Sequence, residues 1–185
     1  MRRTTALTHL VTCCALALAL SGCGSANPKP APPASESVTN ASPSVVAPTM
    51  PAEAMGTGPE AAKAMVQLFI DRLDFAGTQG DTKAFREVFT SKCSACAGVA
   101  DFIDQTYAAG GEIRGTGWHS LDVASLPPTS GSIKVNALVR VAPQSVIAKK
   151  GAEPKHFAGA DRVMKHFTLE IADGNWRISD IEASE

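Results

Sequence analysis

The chain has 185 residues, 44% hydrophobic and 19% charged, with 17 basic against 18 acidic side chains and a formal charge of −1. So even a balance excludes the basic stripe that nucleic-acid binding requires. It also offers no polybasic attraction to an anionic membrane surface.

At the N-terminus, Arg2 and Arg3 precede an apolar run from Leu10 to Leu20, and two small residues, Ser21 and Gly22, then precede Cys23. A basic start, a short apolar core and small residues before a cleavage point define a secretory signal peptide. The run is much shorter than the ~20 residues of a membrane-spanning helix. Leu20-Ser21-Gly22-Cys23 resembles the lipobox of bacterial lipoproteins. The resemblance implies removal of residues 1–22 and a diacylglyceryl thioether on Cys23. It also implies an extracytoplasmic protein held by that lipid on the outer face of the cell membrane. Two acyl chains on one cysteine suffice for stable anchoring. Cys13 and Cys14 fall in the removed segment and take no part in later cysteine chemistry.

Residues 23–58 read as the lipidated cysteine followed by a tether. Gly24 to Gly58 is rich in Pro, Ala, Ser and Thr, has no aromatic residue, and carries only Lys29, Glu36 and Glu53 as charges. Such a composition buries too little apolar surface to offset the entropy of ordering, so disorder is expected. Residues 59–185 have the length of one domain with one core.

Within that domain Pro59 suits the first turn of a helix. Ala62, Met65, Phe69, Leu73 and Ala76 then recur at helical spacing until Gly77-Thr78-Gln79-Gly80 ends the stripe. Asp81 is placed to cap a second short helix carrying Phe85, Val88 and Phe89. Val99, Phe102, Ile103, Thr106 and Tyr107 outline a third helix, stopped by Gly110-Gly111. From Ile113 onward the period becomes two. Ile133, Val135, Ala137, Val139 and Val141 form one half-buried strand, and Val163, Phe167, Leu169 and Ile171 another. Asp173-Gly174-Asn175 is a tight-turn signal before a returning strand with Trp176 and Ile178. Helices first and antiparallel strands afterwards give an α+β fold, with the N-terminal helices packed on one curved antiparallel sheet.

The closing segment from Phe167 to Glu182 resembles the last hairpin of the NTF2-like, cone-shaped α+β fold. The domain as a whole resembles a domain of unknown function in lipoproteins of high-GC Gram-positive bacteria. Gly80-Asp81, Cys93-Ser94-Ala95-Cys96 and Tyr107-Ala108-Ala109-Gly110-Gly111 carry that resemblance. It implies fold and location and brings no established activity.

Cys93-Ser94-Ala95-Cys96 is the sharpest chemical motif. An exported protein meets an oxidising environment, so two thiols this close are expected to pair as a structural disulfide. A redox dithiol at a helix start and a metal pair are the alternatives. The first lacks the βαβ context of a thioredoxin-like site. The second needs two more ligands, and His119, His156 and His166 have no paired spacing. Tyr107 is a candidate acid or hydrogen-bond donor in a cone cavity, or else a helix-end aromatic beside a Gly cap. His119 is a candidate base that alternation places on the face opposite Trp118. Asp71 and Asp74 share a helix face, while Asp122 and Asp180 stand alone on strands. No Ser-His-Asp, zinc-protease or phosphate-loop pattern exists, and no cofactor or metal is implied.

Three functions compete. The first is a non-catalytic binding module for a cell-envelope protein or a small apolar ligand. The second is an isomerase or dehydratase of the NTF2-like type using Tyr107, His119 or an aspartate. The third is a redox protein using Cys93 and Cys96. The absence of a catalytic constellation favours the first.

Overall fold

The structure, a computed structural model, describes residues 45–183. Residues 1–22, Cys23 and the tether up to residue 44 lie outside the described residues. The described residues belong to one compact unit, and no helix among them is long and apolar enough to cross a membrane.

Helix α1 (Pro59–Gln79) opens with Pro at its first position and Glu60 in its first turn, where the helix dipole favours an acid. It ends at Gly80, whose φ of 73° and N–H bond to the Ala76 carbonyl (2.9 Å) form a left-handed cap. The stripe expected from spacing is its core face: Ala62, Met65, Phe69 and Ala76 are all buried. Helix α2 (Lys83–Arg86) is shorter than expected, because the chain leaves the helix before Val88 and Phe89. The Asp81 carboxylate accepts from Lys83 N–H (3.0 Å) as the turn begins. Helix α3 (Ser94–Ala108) closes as expected at Gly110-Gly111. Gly111 N–H reaches the Thr106 carbonyl and Gly110 N–H the Tyr107 carbonyl, both at 2.9 Å.

The strands are β1 (Glu112–Arg114), β2 (Trp118–Ser125), β3 (Ser132–Val141), β4 (Gln144–Ile147), β5 (Lys155–Phe157), β6 (Ala160–Ala172) and β7 (Asn175–Ala183). All pair antiparallel, and they divide into a four-stranded sheet, β2-β3-β6-β7, and a smaller one, β1-β4-β5. This is the helices-then-antiparallel-sheet order of the α+β cone. Register shifts at Ser120/Asp122, Val139/Val141 and Thr168/Leu169 are bulges of the kind that bend a strand, and so curve the sheet around the helices. Asp173 and Gly174 both have positive φ, giving the two-residue hairpin between β6 and β7.

The core lies between α1 and the inner face of the larger sheet, where Ile133, Val135, Ala137, Val139, Phe167 and Leu169 are buried. Phe69 organises it, its ring centroid lying 5.0 Å from Phe85, 5.6 Å from Phe167 and 6.5 Å from Trp118. Burying such a side chain is worth roughly 1.5–3 kcal/mol. The segment after α2 satisfies the edge of β7: Thr90 N–H reaches the Ile178 carbonyl (2.8 Å) and Ile178 N–H the Val88 carbonyl (3.0 Å). Pairing the edge removes a template for unwanted strand addition.

The expected boundary at residue 59 is corrected by the structure. Residues 45–58, read as the end of a disordered tether, pack on the domain. Ala54, in a 3₁₀ turn at Ala52–Ala54, is fully buried. Trp176 Nε1 donates to the Gly58 carbonyl (3.0 Å), Gly56 N–H to Asn175 Oδ1 (2.8 Å), and Arg72 Nε to the Pro48 carbonyl (3.0 Å). Composition underestimates this segment because several of its backbone polar groups find partners on side chains far along the chain.

Candidate functional site

Trp118 begins β2 and turns toward the helices rather than away from them. Around it the core is incompletely closed. Two apolar grooves, of about 220 Å³ and about 240 Å³, share one wall made by Leu73 of α1, Val99 of α3 and Trp118. The first continues along Phe102 and Ile103 of α3 to Asp74. The second runs past Phe69 and Ile181 to Lys165. Helical spacing explains the lining. Cys96, Ala100 and Ile103 turn into the core, whereas Val99 and Phe102, on the adjoining edge of the α3 stripe, remain 42% and 47% exposed. Large apolar side chains left this open beside a cavity mark a surface that something apolar can cover.

Two charged groups flank the grooves. Asp74 Oδ1 accepts the Gly117 N–H (2.5 Å), so this carboxylate holds the entry to β2 in place. Lys165 Nζ stands 4.9 Å from the centroid of the Trp118 ring, a cation–π contact.

The residues expected from sequence are dispersed. Cys93 and Cys96 lie at disulfide distance (1.97 Å), and both are buried. Cys93 caps α3, its sulfur accepting the Cys96 N–H at 3.3 Å. Tyr107 does not face the grooves as an acid. Its hydroxyl lies 2.8 Å from the Gly77 carbonyl and 3.1 Å from that of Thr78, and it accepts from Ile113 N–H (3.4 Å). That occupies its donor and an acceptor site with backbone, which makes it a seam between α1, α3 and β1. His119 is exposed, with Nε2 2.9 Å from Thr116 Oγ1. It lines a separate open depression of about 390 Å³ with Arg140 and Asp161.

The two helical aspartates have different partners: Asp71 accepts from Gln67 Nε2, and Asp74 from Gly117. Asp180 accepts its neighbour's Ile181 N–H (2.9 Å). Asp122 and His156 are exposed, and His166 Nδ1 lies 2.8 Å from Asn136 Oδ1. Among the described residues no three His, Cys, Asp or Glu side chains gather as a metal site.

Sequence reasoning overlooked two features. Arg86 of α2 donates to Asp101 Oδ1 and Asp104 Oδ2 of α3, both at 2.7 Å, and Thr82 Oγ1 donates to Asp104 Oδ1 (2.8 Å). The hydrogen bond to Asp104, followed by that to Asp101, raises the Arg86 pKa above its ordinary value. Partial burial pushes Asp104 up, but the bonds from Arg86 and Thr82 outweigh it and hold this carboxyl below its ordinary value. The network fastens α2 to α3. The second feature is Lys165. It shares parity with Val163, Phe167 and Leu169, so strict alternation places it on the inner face of β6.

A family model described as "Family of unknown function (DUF6318)" matches residues 33–182. No curated protein matches the sequence. Among solved structures, the intermembrane-space region of the chloroplast protein ARC6 is similar at a TM-score of 0.46 and 10% identity, covering 69% of this chain and 96% of that one. Aln2 from a Streptomyces species is similar at 0.43 and 13% identity, covering 70% and 93%. A member of the NTF2-like family from Streptomyces avermitilis is similar at 0.42 and 12% identity, covering 69% and 97%.

Proposed function

The chain belongs to DUF6318, a family of unknown function, and from that premise we propose that it is a lipid-anchored extracytoplasmic lipoprotein whose α+β domain is a non-catalytic module binding a small apolar ligand. One observation carries the binding role: two apolar grooves meet at Leu73, Val99 and Trp118, with Val99 and Phe102 open to solvent beside them. Ligand sites are concave, mainly apolar and furnished with few polar groups. At about 30 Å³ per water-sized unit, a groove of about 240 Å³ holds roughly eight non-hydrogen atoms. The anchor rests on Leu20-Ser21-Gly22-Cys23. The enzymatic alternative finds less support, since Tyr107 is engaged with backbone and His119 lies by a different depression.

The binding role is tested by calorimetric titration of the chain from residue 24 onward, which keeps the compact unit Pro43–Glu185. A neutral aliphatic probe, 1-octanol, should bind saturably. Val99→Asp, at a position 42% exposed, should abolish that binding while leaving the fold intact. Absence of saturable binding refutes the reading. Intact-mass analysis of membrane-extracted protein tests the anchor, and an unmodified Cys23 at the N-terminus refutes it.

A further inference from the structure

Lys165 stands where alternation would put an apolar residue. Its strand neighbours in register are Ala137 on β3 and Ala183 on β7, and Val123 of β2 completes the row across the sheet. Ala137 is fully buried, so the row belongs to the inner face. Two alanines leave space on either side, and the lysine side chain extends through it to line the second groove and meet the Trp118 ring. Taking an ammonium partly out of water is costly unless it meets an anion. Yet Lys165 enters none of the ion pairs formed among the described residues. The Trp118 face attracts the cation without neutralising it. The other charge at the site, Asp74, lies at the far groove. The lining of the second groove thus carries a cation and that of the first a carboxylate.

We infer that the grooves take an amphiphilic monocarboxylate, with its head group on Lys165 Nζ and its tail along Trp118, Leu73 and Val99. This rests on the proposed apolar-ligand reading and assigns the ligand's polar end. A single lysine matches a single negative charge, whereas a phosphate monoester carries up to about two at neutral pH and would be left partly uncompensated. Asp74, in the lining of the first groove, disfavours a carboxylate there and leaves the second groove to the head group. Capacity sets its size: roughly eight non-hydrogen atoms fill the second groove, and a longer tail passes the shared wall into the first.

The test is calorimetric titration of the chain from residue 24 onward with octanoate, 1-octanol and octyl phosphate. Octanoate should bind about tenfold more tightly than 1-octanol, the factor expected of a hydrogen bond to a charged group. Lys165→Met keeps an apolar stem over Trp118 and should erase the preference, with a thermal melt confirming that the variant is folded. Lys165→Arg should retain it. If 1-octanol binds and octanoate gains nothing, or if Lys165→Met keeps the preference, the head-group assignment falls while the apolar groove stands. Tighter binding of octyl phosphate than of octanoate overturns the monocarboxylate. Binding of none of the three overturns both readings together.

Discussion

The seam around Tyr107 and the groove around Trp118 are made from the same elements, α1, α3 and the first strands, and they behave in opposite ways. At the seam every polar group is answered. The Tyr107 hydroxyl meets two carbonyls and one N–H, and Gly80 turns left-handed directly beneath the ring. At the groove, Val99 and Phe102 lie open, and the Lys165 ammonium meets the Trp118 ring and enters no ion pair among the described residues. A lone aromatic beside glycines and a tryptophan beside a histidine look equally suggestive in a sequence. Their partners separate them: a saturated hydroxyl is architecture, whereas a charge with no ion pair among the described residues, beside an apolar cavity, is what the proposed binding role rests on.

The comparison is broken most severely at Gly80. A methyl group there would sit 2.5 Å from Tyr107 ring carbons, on a backbone with φ of 73°. The left-handed conformation costs an alanine about 1–2 kcal/mol, and displacing a packed ring adds about 1–3. Gly80→Ala should therefore destabilise the domain by about 3 kcal/mol and lower Tm by about 10 °C. A melting curve matching the parent would show that the ring moves aside without cost.

Next in size is the Cys93–Cys96 link. The chain-entropy relation for so short a loop gives about 2 kcal/mol. Both cysteines are buried, so the structural reading predicts slow alkylation under native conditions and a lower Tm after reduction, without unfolding at 25 °C. A reduction potential near −200 mV or higher, with one fast-reacting thiol, would instead favour the redox alternative.

Tyr107→Phe sharpens the contrast between the two regions. It removes the hydroxyl from backbone partners and should cost about 1–2 kcal/mol. It should leave 1-octanol binding unchanged, because Tyr107 itself lines neither groove and meets the first only through Gly77 and Ile113. Loss of ligand affinity at unchanged Tm would return Tyr107 to the functional site.

The smallest effect is expected at the exposed network joining α2 to α3. The Asp104 carboxyl lies below its ordinary value in the folded state. Its contribution is thus fully present above the unfolded-state pKa, about 3.9, and is lost as pH falls through the lowered folded value. Solvent screening limits it to a few tenths of a kcal/mol. Asp104→Asn should flatten the acid side of the Tm–pH profile by a degree or so, and high salt should mimic the variant. An unchanged acid limb would show that the network does not contribute.

Periodicity determined a good deal of this molecule. The α1 stripe from Ala62 to Ala76, the α3 stop at Gly110-Gly111, the β3 alternation and the Asp173-Gly174 hairpin are local statements, set by side-chain spacing and backbone preference within a few residues. The α+β order follows from the single change of period. That Cys93 and Cys96 come within disulfide distance was legible because the two thiols are three residues apart.

Only the tertiary structure decided the rest. Residues 45–58 hold to the domain through Arg72, Asn175 and Trp176, partners too distant in sequence for composition to reveal. The division of the strands into two sheets depends on long-range pairings such as Glu112 with Ile147. The grooves exist because α1, α3 and β2 meet without filling the space around Trp118. Lys165 could be placed on the inner face by parity alone, but that it enters no ion pair among the described residues is a property of the segments packed near it. Local propensity fixes which way a side chain leaves the backbone, and only packing determines what it meets there.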